Sequence, residues 1–341
     1  MASVNRRGQR SVNRETRFRT LVMFEIRPFR NSDEPRLAML WVMHHAVYRV
    51  APAVTAAIWE QAIAARHFFR ADRLLVATAA GQAIAWCHWF PDEQRVASLP
   101  AFCFEPSIDG EAAAAVLLAE VQRQIVAAGF SSMVAGVGPE SRWGYQGLEP
   151  VGHGIGVDVA DDRTNQLFEA AGFEEVQRID RWEVATLDYR PPVSREAIAF
   201  RRGTRIETAV VQPSSMRESE AMFHLEFKQF RLAPISGGVP MATAEIWLSD
   251  PDIQVMSMGQ SILGRVGSTA SDLSARESAI RYLVASVIPA LGEKHIRTLH
   301  RSVPSDHHDE AARLSALKFR RTAVGRLLRK TLSPTGFAAL Y

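Results

Sequence analysis

The stretch from Ala97 to Phe130 constrains the fold more than any other part of the chain. It begins as an apolar, extended run over residues 99–105, turns at residues 106–110, and continues as an amphipathic helix over residues 111–128. A strand, a tight turn and a helix N-terminus in that order present free backbone N–H groups, and such groups bind anions. The stretch therefore indicates an anion site at the start of this helix.

Length and composition predict an ordinary globular protein of about two domains. The chain has 341 residues, 47% hydrophobic and 23% charged, with a net charge of +3. Much of the positive charge lies in an arginine-rich leader, residues 1–22, which we predict to be disordered. The rest is near neutral, so nucleic acid is disfavoured as a partner. Binding of nucleic acid through the leader is the less favoured alternative.

Cysteine usage and hydropathy predict a cytoplasmic protein with no membrane partner. Cys87 and Cys103 lie in apolar runs, which favours buried free thiols over a disulfide. No run approaches the roughly 18–20 apolar residues that span a membrane. No apolar segment typical of a secretory signal follows the N-terminal arginines. No metal site is predicted.

The first part of the chain predicts the order β-α-α-β-β-β-α-β-α-β-β. Ala80-Gly81 joins two apolar runs as a hairpin, and glycines crowd residues 136–156, which indicates a loop with close backbone approach. The predicted elements are a strand at 24–29, helices at 36–47 and 55–65, strands at 74–79, 82–90 and 96–104, a helix at 111–128, a strand at 131–137, a helix at 164–171, and closing strands at 173–178 and 181–187.

The second part repeats this order in its last elements. Both parts end in a helix followed by a strand that starts with a phenylalanine and two charged residues, at Phe173 and Phe319. This self-similarity predicts a tandem repeat of one fold. The predicted elements are a strand at 205–212, a helix at 215–232, a hairpin at 253–258 and 261–266, a helix at 276–291, a strand at 295–303, a helix at 309–317 and a strand at 318–324.

Three segments resemble the GCN5-related N-acetyltransferase (GNAT) superfamily. Residues 107–112 read x-x-x-Gly-x-Ala, which is similar to the family's pyrophosphate loop (Gln/Arg)-x-x-Gly-x-(Gly/Ala), with Ser107 in place of Gln or Arg. Residues 165–176 (NQLFEAAGFEEV) resemble the family's last helix and next strand. Residues 143–157 (WGYQGLEPVGHGIGV) resemble a loop of tandem acetyltransferases of the mycothiol-synthase type.

The resemblance implies an α/β (α+β) fold of two tandem GNAT-like domains. Each would have a mixed, mostly antiparallel central sheet flanked by helices. The predicted organisation is the leader at 1–22, an acetyl-CoA-binding domain at 23–190, a linker at 191–200 and a degenerate second domain at 201–341. The second domain is predicted to be degenerate because residues 267–276, where its pyrophosphate loop would lie, have no glycine at the position that the motif requires.

The resemblance also implies that acetyl-CoA is a cosubstrate bound by the first domain. Backbone N–H groups at the helix start neutralise its pyrophosphate without lysines. In the family, the strand that enters the loop pairs its free backbone groups with the pantetheine arm. The implied cofactor-binding residues are Phe102, Cys103, Phe104, Ser107, Ile108, Asp109, Gly110, Glu111, Ala112, Asn165 and Phe168.

The implied reaction is attack of an amine on a thioester. It needs a base that removes a proton from the ammonium and an acid that protonates the leaving thiolate. The family's frequent acid is a tyrosine in the last helix, where this chain has Phe168. Tyr145 in the glycine-rich loop is the candidate replacement. Glu105, His88 and Glu93 are candidate bases, and the sequence does not choose among them.

Two hypotheses about function follow. The leading one is an N-acetyltransferase that moves an acetyl group from acetyl-CoA to an amine of a small-molecule acceptor bound between the domains. The alternative is a non-catalytic acyl-CoA-binding or protein-interaction module with the same fold, favoured by Phe168, by Ser107 and by the degenerate second domain. The acceptor and the oligomeric state stay open.

Overall fold

The computed structural model of the protein describes residues 23–50, 52–91, 96–142 and 144–332. The arginine-rich leader and the candidate base Glu93 lie outside the described residues. No helix within these ranges is both long and apolar enough to cross a membrane.

The first half of the chain follows the predicted order of elements up to its last helix, apart from an unpredicted two-residue strand at Val157–Asp158. Its longest helix begins at a cap, because the Ser107 hydroxyl accepts a hydrogen bond from the Gly110 N–H at 3.1 Å. One face of this helix is buried through Ala113, Leu117 and Val121, at helical spacing. The bounds are β1 (Glu25–Pro28), α1 (Glu34–His45), α2 (Ala56–Trp59), β2 (Leu74–Ala79), β3 (Gln82–Pro91), β4 (Ala97–Phe104), α3 (Ile108–Ala127), β5 (Ser132–Ala135), β6 (Val157–Asp158), α4 (Asp162–Ala170) and β7 (Glu174–Ala185).

The second half begins with a helix where the sequence predicts a linker at 191–200. Ser194 caps this helix by accepting a hydrogen bond from the Ala197 N–H at 3.1 Å. The elements are α5 (Arg195–Gly203), β8 (Thr204–Val210), α6 (Met216–Ala221), β9 (Leu225–Pro234), β10 (Ala242–Ser249), β11 (Gln260–Ser268), α7 (Leu273–Gly292), β12 (Thr298–Pro304), α8 (His308–Ala316) and β13 (Arg320–Thr331).

Two predictions for the second half are wrong. The helix predicted at 215–232 ends at Ala221, and β9 follows it. Phe230 and Leu232 are buried while Arg231 between them is not, which is the period of a strand. The hairpin predicted at 253–258 and 261–266 does not form, because β11 pairs with β10, which the prediction left unassigned.

The end of the first half also differs from the prediction. The two closing strands predicted at 173–178 and 181–187 are the single strand β7, because Ile179 and Asp180 pair with β12 and β13 and form no turn. β13 lies between β5 and β7, and β7 lies between β13 and β12. The last strand of the chain therefore completes the sheet of the first half, and β7 completes the sheet of the second.

The strands form one sheet with helices on both faces. Its order is β1-β2-β3-β4-β5-β13-β7-β12-β11-β10-β9-β8, with β6 paired to β13. The pairs β4–β5 and β11–β12 are parallel, and the other pairs are antiparallel. In the first half, α1 and α2 pack on one face while α3 and α4 pack on the other. The predicted α/β fold class, with a mixed and mostly antiparallel sheet, is confirmed.

A buried ion cluster joins the glycine-rich loop to the second half. Arg142 Nη1 lies 2.6 Å from Glu218 Oε1 and 3.0 Å from Glu245 Oε1, and all three side chains are buried. Removing one member would leave an uncompensated buried charge. The loop is therefore held between the two halves, where it lines the first of the clefts described next.

Candidate functional site

The parallel strands β4 and β5 part midway along β4. They are paired only over residues 97–99 of β4, whereas β4 stays paired with β3 as far as Phe104. At the point of parting, β4 carries a bulge opposite Trp89. One backbone edge of residues 100–104 is therefore left without a neighbouring strand.

A narrow cleft, with about 470 Å³ of space when the open solvent at its mouth is included, lies along this edge, and we call it the strand cleft. Its walls come from the end of α1, from β4, from the glycine-rich loop and from the start of α4. Side chains that line it include His44, His45, Tyr48, Phe102, Asp158 and Phe168.

The predicted cofactor residues of β4 lie along the strand cleft. Phe102 and Cys103 line it. The Phe102 ring meets the Phe168 ring edge to face, with 5.7 Å between centroids, so α4 closes one side. The backbone of Phe104 lies 3.3 Å from His44 Nδ1, so a side chain occupies that end of the strand edge. Binding of a pantetheine arm by this edge stays a prediction.

The predicted pyrophosphate loop forms the first turn of α3. A Cβ on Gly110 would lie 2.4 Å from the carbonyl oxygen of Glu105. The glycine is therefore required by packing of the helix start against the end of β4, whatever the turn binds. The exposed residues of the predicted loop are Ser107, Ile108, Asp109, Glu111 and Ala112.

Arg163 places a cation beside His44 and Phe104, at the end of the free edge of β4, although it does not itself line the strand cleft. Its guanidinium lies 4.8 Å from the centre of the Phe104 ring, and its Nη2 donates to the His44 carbonyl at 3.3 Å. Its Nε and Nη1 are buried and have no hydrogen-bond partner among the residues that the structure describes. Buried donors without a partner are costly, so this side chain is suited to an anionic ligand. No local sequence signal marks Arg163 as a site residue.

Asn165 and Glu105 are held by other parts of the protein. Asn165 Nδ2 donates to the carbonyl oxygens of Asp158 and Asp161, each at 2.8 Å. Glu105 forms an ion pair with Arg36. Asn165 therefore fixes the segment that leads into α4, and the Glu105 carboxylate already has a cation as its partner.

Tyr145 and His88, a candidate acid and a candidate base, form a pair in the core. The Tyr145 hydroxyl lies 2.8 Å from His88 Nδ1, and both residues are fully buried. Burial raises the pKa of Tyr145 well above its usual value. Burial, helped by the charge of Arg73, lowers the pKa of His88 to about 3. Neither residue lines the strand cleft, so their position gives them a structural role.

We expect Tyr145→Phe to lower the free energy of unfolding by about 1–3 kcal/mol, because His88 Nδ1 would be left buried without its partner. Chemical denaturation measures this change. Tyr189→Phe is the control. Its hydroxyl donates to the Leu317 carbonyl at 3.2 Å in a partly exposed position, where water can replace the lost partner. A smaller loss for Tyr145→Phe than for Tyr189→Phe would contradict the structural role.

The end of α1 supplies two side chains that the sequence analysis missed. His45 Nδ1 lies 2.7 Å from the Tyr48 hydroxyl, and His45 Nε2 is buried without a partner. Burial lowers the pKa of His45 well below its usual value, so its ring is neutral. Burial, with the nearby carboxylates of Asp161 and Asp158, raises the pKa of Tyr48, which stays protonated.

A second cleft, with about 1000 Å³ of empty space, adjoins the strand cleft, and we call it the charged cleft. Tyr48 and Asp158 line both clefts. Burial raises the pKa of Asp158, against the opposing effects of the Ala160 N–H and of Arg49. The other charged residues that line the charged cleft are Arg49, Arg181, Glu183 and Arg321.

In the second half, a side chain fills the corresponding gap between strands. β11 and β12 are paired over residues 260–262 and then part. Arg301 Nη1 donates to the carbonyl oxygens of Leu263 at 3.2 Å and Gly264 at 2.8 Å, on the free edge of β11. The equivalent edge in the first half is open over residues 100–103. Among the described residues, no group of three His, Cys, Asp or Glu side chains is placed to hold a metal ion.

Solved structures similar to this chain have the GNAT fold. A GCN5-related N-acetyltransferase from Sphaerobacter thermophilus is 14% identical with a TM-score of 0.61, over 91% of this chain and 96% of that one. A tandem GNAT protein from the clavulanic acid biosynthesis pathway is 11% identical with a TM-score of 0.63, over 92% and 100%. A glucosamine N-acetyltransferase region of a fungal multi-domain β-N-acetylglucosaminidase is 11% identical with a TM-score of 0.64, over 91% and 38%.

These similarities establish the fold and confirm the resemblance to GNAT proteins, a tandem one among them. Sequence comparison adds no closer relative: no protein-family profile matches the chain, and no curated protein matches it.

Proposed function

We propose that this chain is an acyltransferase that moves an acetyl group from acetyl-CoA to an amine, and that the first half binds acetyl-CoA. The observation that carries the proposal is the parting of β4 and β5 within a GNAT fold. Close to this parting lie a free strand edge, the N-terminus of α3 and the Arg163 guanidinium, whose Nε and Nη1 have no hydrogen-bond partner among the described residues. In the second half, Arg301 fills the equivalent gap.

The strand cleft, with Arg163 and the start of α3 outside its lining, suits the chemistry of acetyl-CoA at three points. The edge of residues 100–103 offers backbone donors and acceptors to the amide groups of a pantetheine arm, as an edge strand does to a peptide. Arg163 offers a cation to phosphate. The first N–H groups of α3 add partial positive charge. Asp109 and Glu111 oppose an anion there, but both are exposed, so water and salt weaken their effect.

Asp158 and Tyr48 stand where the two clefts meet, and we assign them the proton transfers. Bound acetyl-CoA supplies a thioester carbon, at which the amine forms a C–N bond while the C–S bond breaks with its electron pair on sulfur. Asp158 accepts one proton from the ammonium and passes it to water. Tyr48 donates its hydroxyl proton to the sulfur. The second proton lost by the nitrogen returns to Tyr48, which balances the step.

We expect Arg163→Ala to raise the Kd for acetyl-CoA about tenfold, the loss of roughly 1.4 kcal/mol that one charge-assisted hydrogen bond contributes. Calorimetric titration of the full chain measures it. Arg276→Ala is the matched control at the start of α7, where the Arg276 side chain donates to the Ala270 carbonyl. An effect of Arg276→Ala with none of Arg163→Ala would place the site in the second half and contradict the assignment.

A non-catalytic acyl-CoA-binding module is the second candidate. Phe168 at the position of the family's tyrosine favours it, and so does the contact of His44 with the Phe104 backbone. Both candidates predict acetyl-CoA binding, but only the enzyme releases CoA when amines are added. Release of free thiol that depends on the amine supports the enzyme, and its absence across a panel of primary amines and amino acids supports the module.

A further inference from the structure

We infer that the charged cleft receives a small α-amino acid, whose ammonium contacts Asp158 and whose carboxylate contacts Arg49. The claim that this amino acid is the acetyl acceptor rests on the function proposed above. The claim that the cleft binds an amino acid rests only on the charges of the cleft.

Asp158 and Arg49 face each other without a hydrogen bond between them. Arg49 Nη1 lies 3.9 Å from Asp158 Oδ2, beyond the 2.7–3.2 Å of an N–H···O hydrogen bond. Asp158 Oδ1 accepts from the Ala160 N–H at 3.0 Å. Both side chains are partly buried, 23% exposed for Arg49 and 10% for Asp158. A carboxylate and a guanidinium in such a setting each favour a closer partner of opposite charge.

The other charges of the cleft already have closer partners. Arg181 Nε lies 3.0 Å from Glu183 Oε1, and Arg181 Nη2 lies 3.3 Å from Glu149 Oε1. Glu183 is also 3.2 Å from His300 Nδ1. Arg321 Nη1 lies 3.5 Å from Asp180 Oδ1, which is also beyond hydrogen-bond range, but the Arg321 side chain is 59% exposed, so water already solvates its charge. Asp158 and Arg49 are therefore the pair with the most to gain from a ligand.

The short distance between Asp158 and Arg49 selects the class of ligand. A molecule that bridges them needs an ammonium and an anionic group close together, and an α-amino acid carries both on one carbon. A simple amine leaves Arg49 without an anion. A diamine places a second cation beside Arg49, which is repulsive. Asp158 also lines the strand cleft, so an amine held there would lie next to the proposed thioester.

The test uses the full chain and pairs each of the common L-amino acids with the primary amine that lacks its carboxylate. Binding is measured by calorimetry without acetyl-CoA, and release of CoA is measured separately. We expect at least one amino acid to bind tenfold or more tightly than its paired amine. Arg49→Gln should abolish that preference, and Arg49→Lys should keep part of it. Arg329→Gln, an exposed arginine of β13 that does not line the cleft, should leave the preference unchanged.

Amines that bind as tightly as their amino acids, or no binding by any amino acid, would overturn the inference, as would a preference that survives in Arg49→Gln. CoA release with simple amines alone would also overturn it, while leaving acyl transfer standing. Amino-acid binding that depends on Arg49, in a protein that binds no acetyl-CoA, would uphold the amino-acid site and overturn the proposed acyl transfer.

Discussion

Gly325→Ala is expected to lower the free energy of unfolding by about 3–5 kcal/mol, a value reached by few single substitutions. A Cβ at this position would lie 1.9 Å from the carbonyl oxygen of Ile155 and 3.0 Å from that of Val157. Both contacts are with backbone, which no rotamer change relieves. Either β13 or the segment of residues 155–157 must therefore move, and chemical denaturation measures the cost.

The loss should be large because β13 is an interior strand of the whole sheet. It pairs with β5 on one side and with β7 on the other, and β6 pairs with it at Gly325. Gly203→Ala is the control, since nothing lies within 4 Å of a Cβ there. At such a site alanine stabilises by about 0.4–1 kcal/mol through the unfolded chain. Equal effects of the two variants would contradict the close packing of β13 against residues 155–157 at Gly325.

The sequence predicts most elements of the first half because each carries a local signal. Ala80-Gly81 marks a hairpin, Ser107 caps α3, and Gly129 and Gly172, both with positive φ, follow the ends of helices. Such signals act over a few residues. The exchange of β7 and β13 has no local signal, since it joins residues far apart in the chain, such as Ser132 and Thr331. The prediction that two strands, at 173–178 and 181–187, close the first half fails for that reason.

The residues of the candidate site likewise divide into those that the sequence predicts and those that depend on pairing between distant strands. Phe102 and Cys103 follow from the position of β4 before the helix, which the resemblance supplies. Tyr48 had a weak signal, because His45 and Tyr48 are three residues apart at a helix end and lie on one side of it. Asp158 had none. Its place depends on the pairing of β6 with β13, so the strand exchange itself brings this carboxylate to the cleft.

Asp158→Asn is expected to lower kcat/KM for the transfer by about 10²–10⁴-fold, the usual contribution of a general base. The asparagine keeps the shape of the side chain but accepts no proton at neutral pH. The Kd for acetyl-CoA should stay unchanged, since Arg163 and the edge of β4 are untouched. Steady-state release of CoA and calorimetry measure the two quantities. Asp162→Asn, an exposed acid in the first turn of α4, is the control and should keep full activity.

Tyr48→Phe should lower kcat by a comparable factor without moving the acid limb of the pH profile. This difference from Asp158→Asn would identify Asp158 as the base and Tyr48 as the acid. A base acts when ionised, so kcat/KM should fall as the pH drops through the Asp158 pKa, which burial raises above its ordinary value. That limb should persist in Tyr48→Phe and disappear from the residual activity of Asp158→Asn. Retention of the limb in Asp158→Asn would show that another group takes the proton. Full activity of Tyr48→Phe would mean that the thiolate leaves without an acid from the protein.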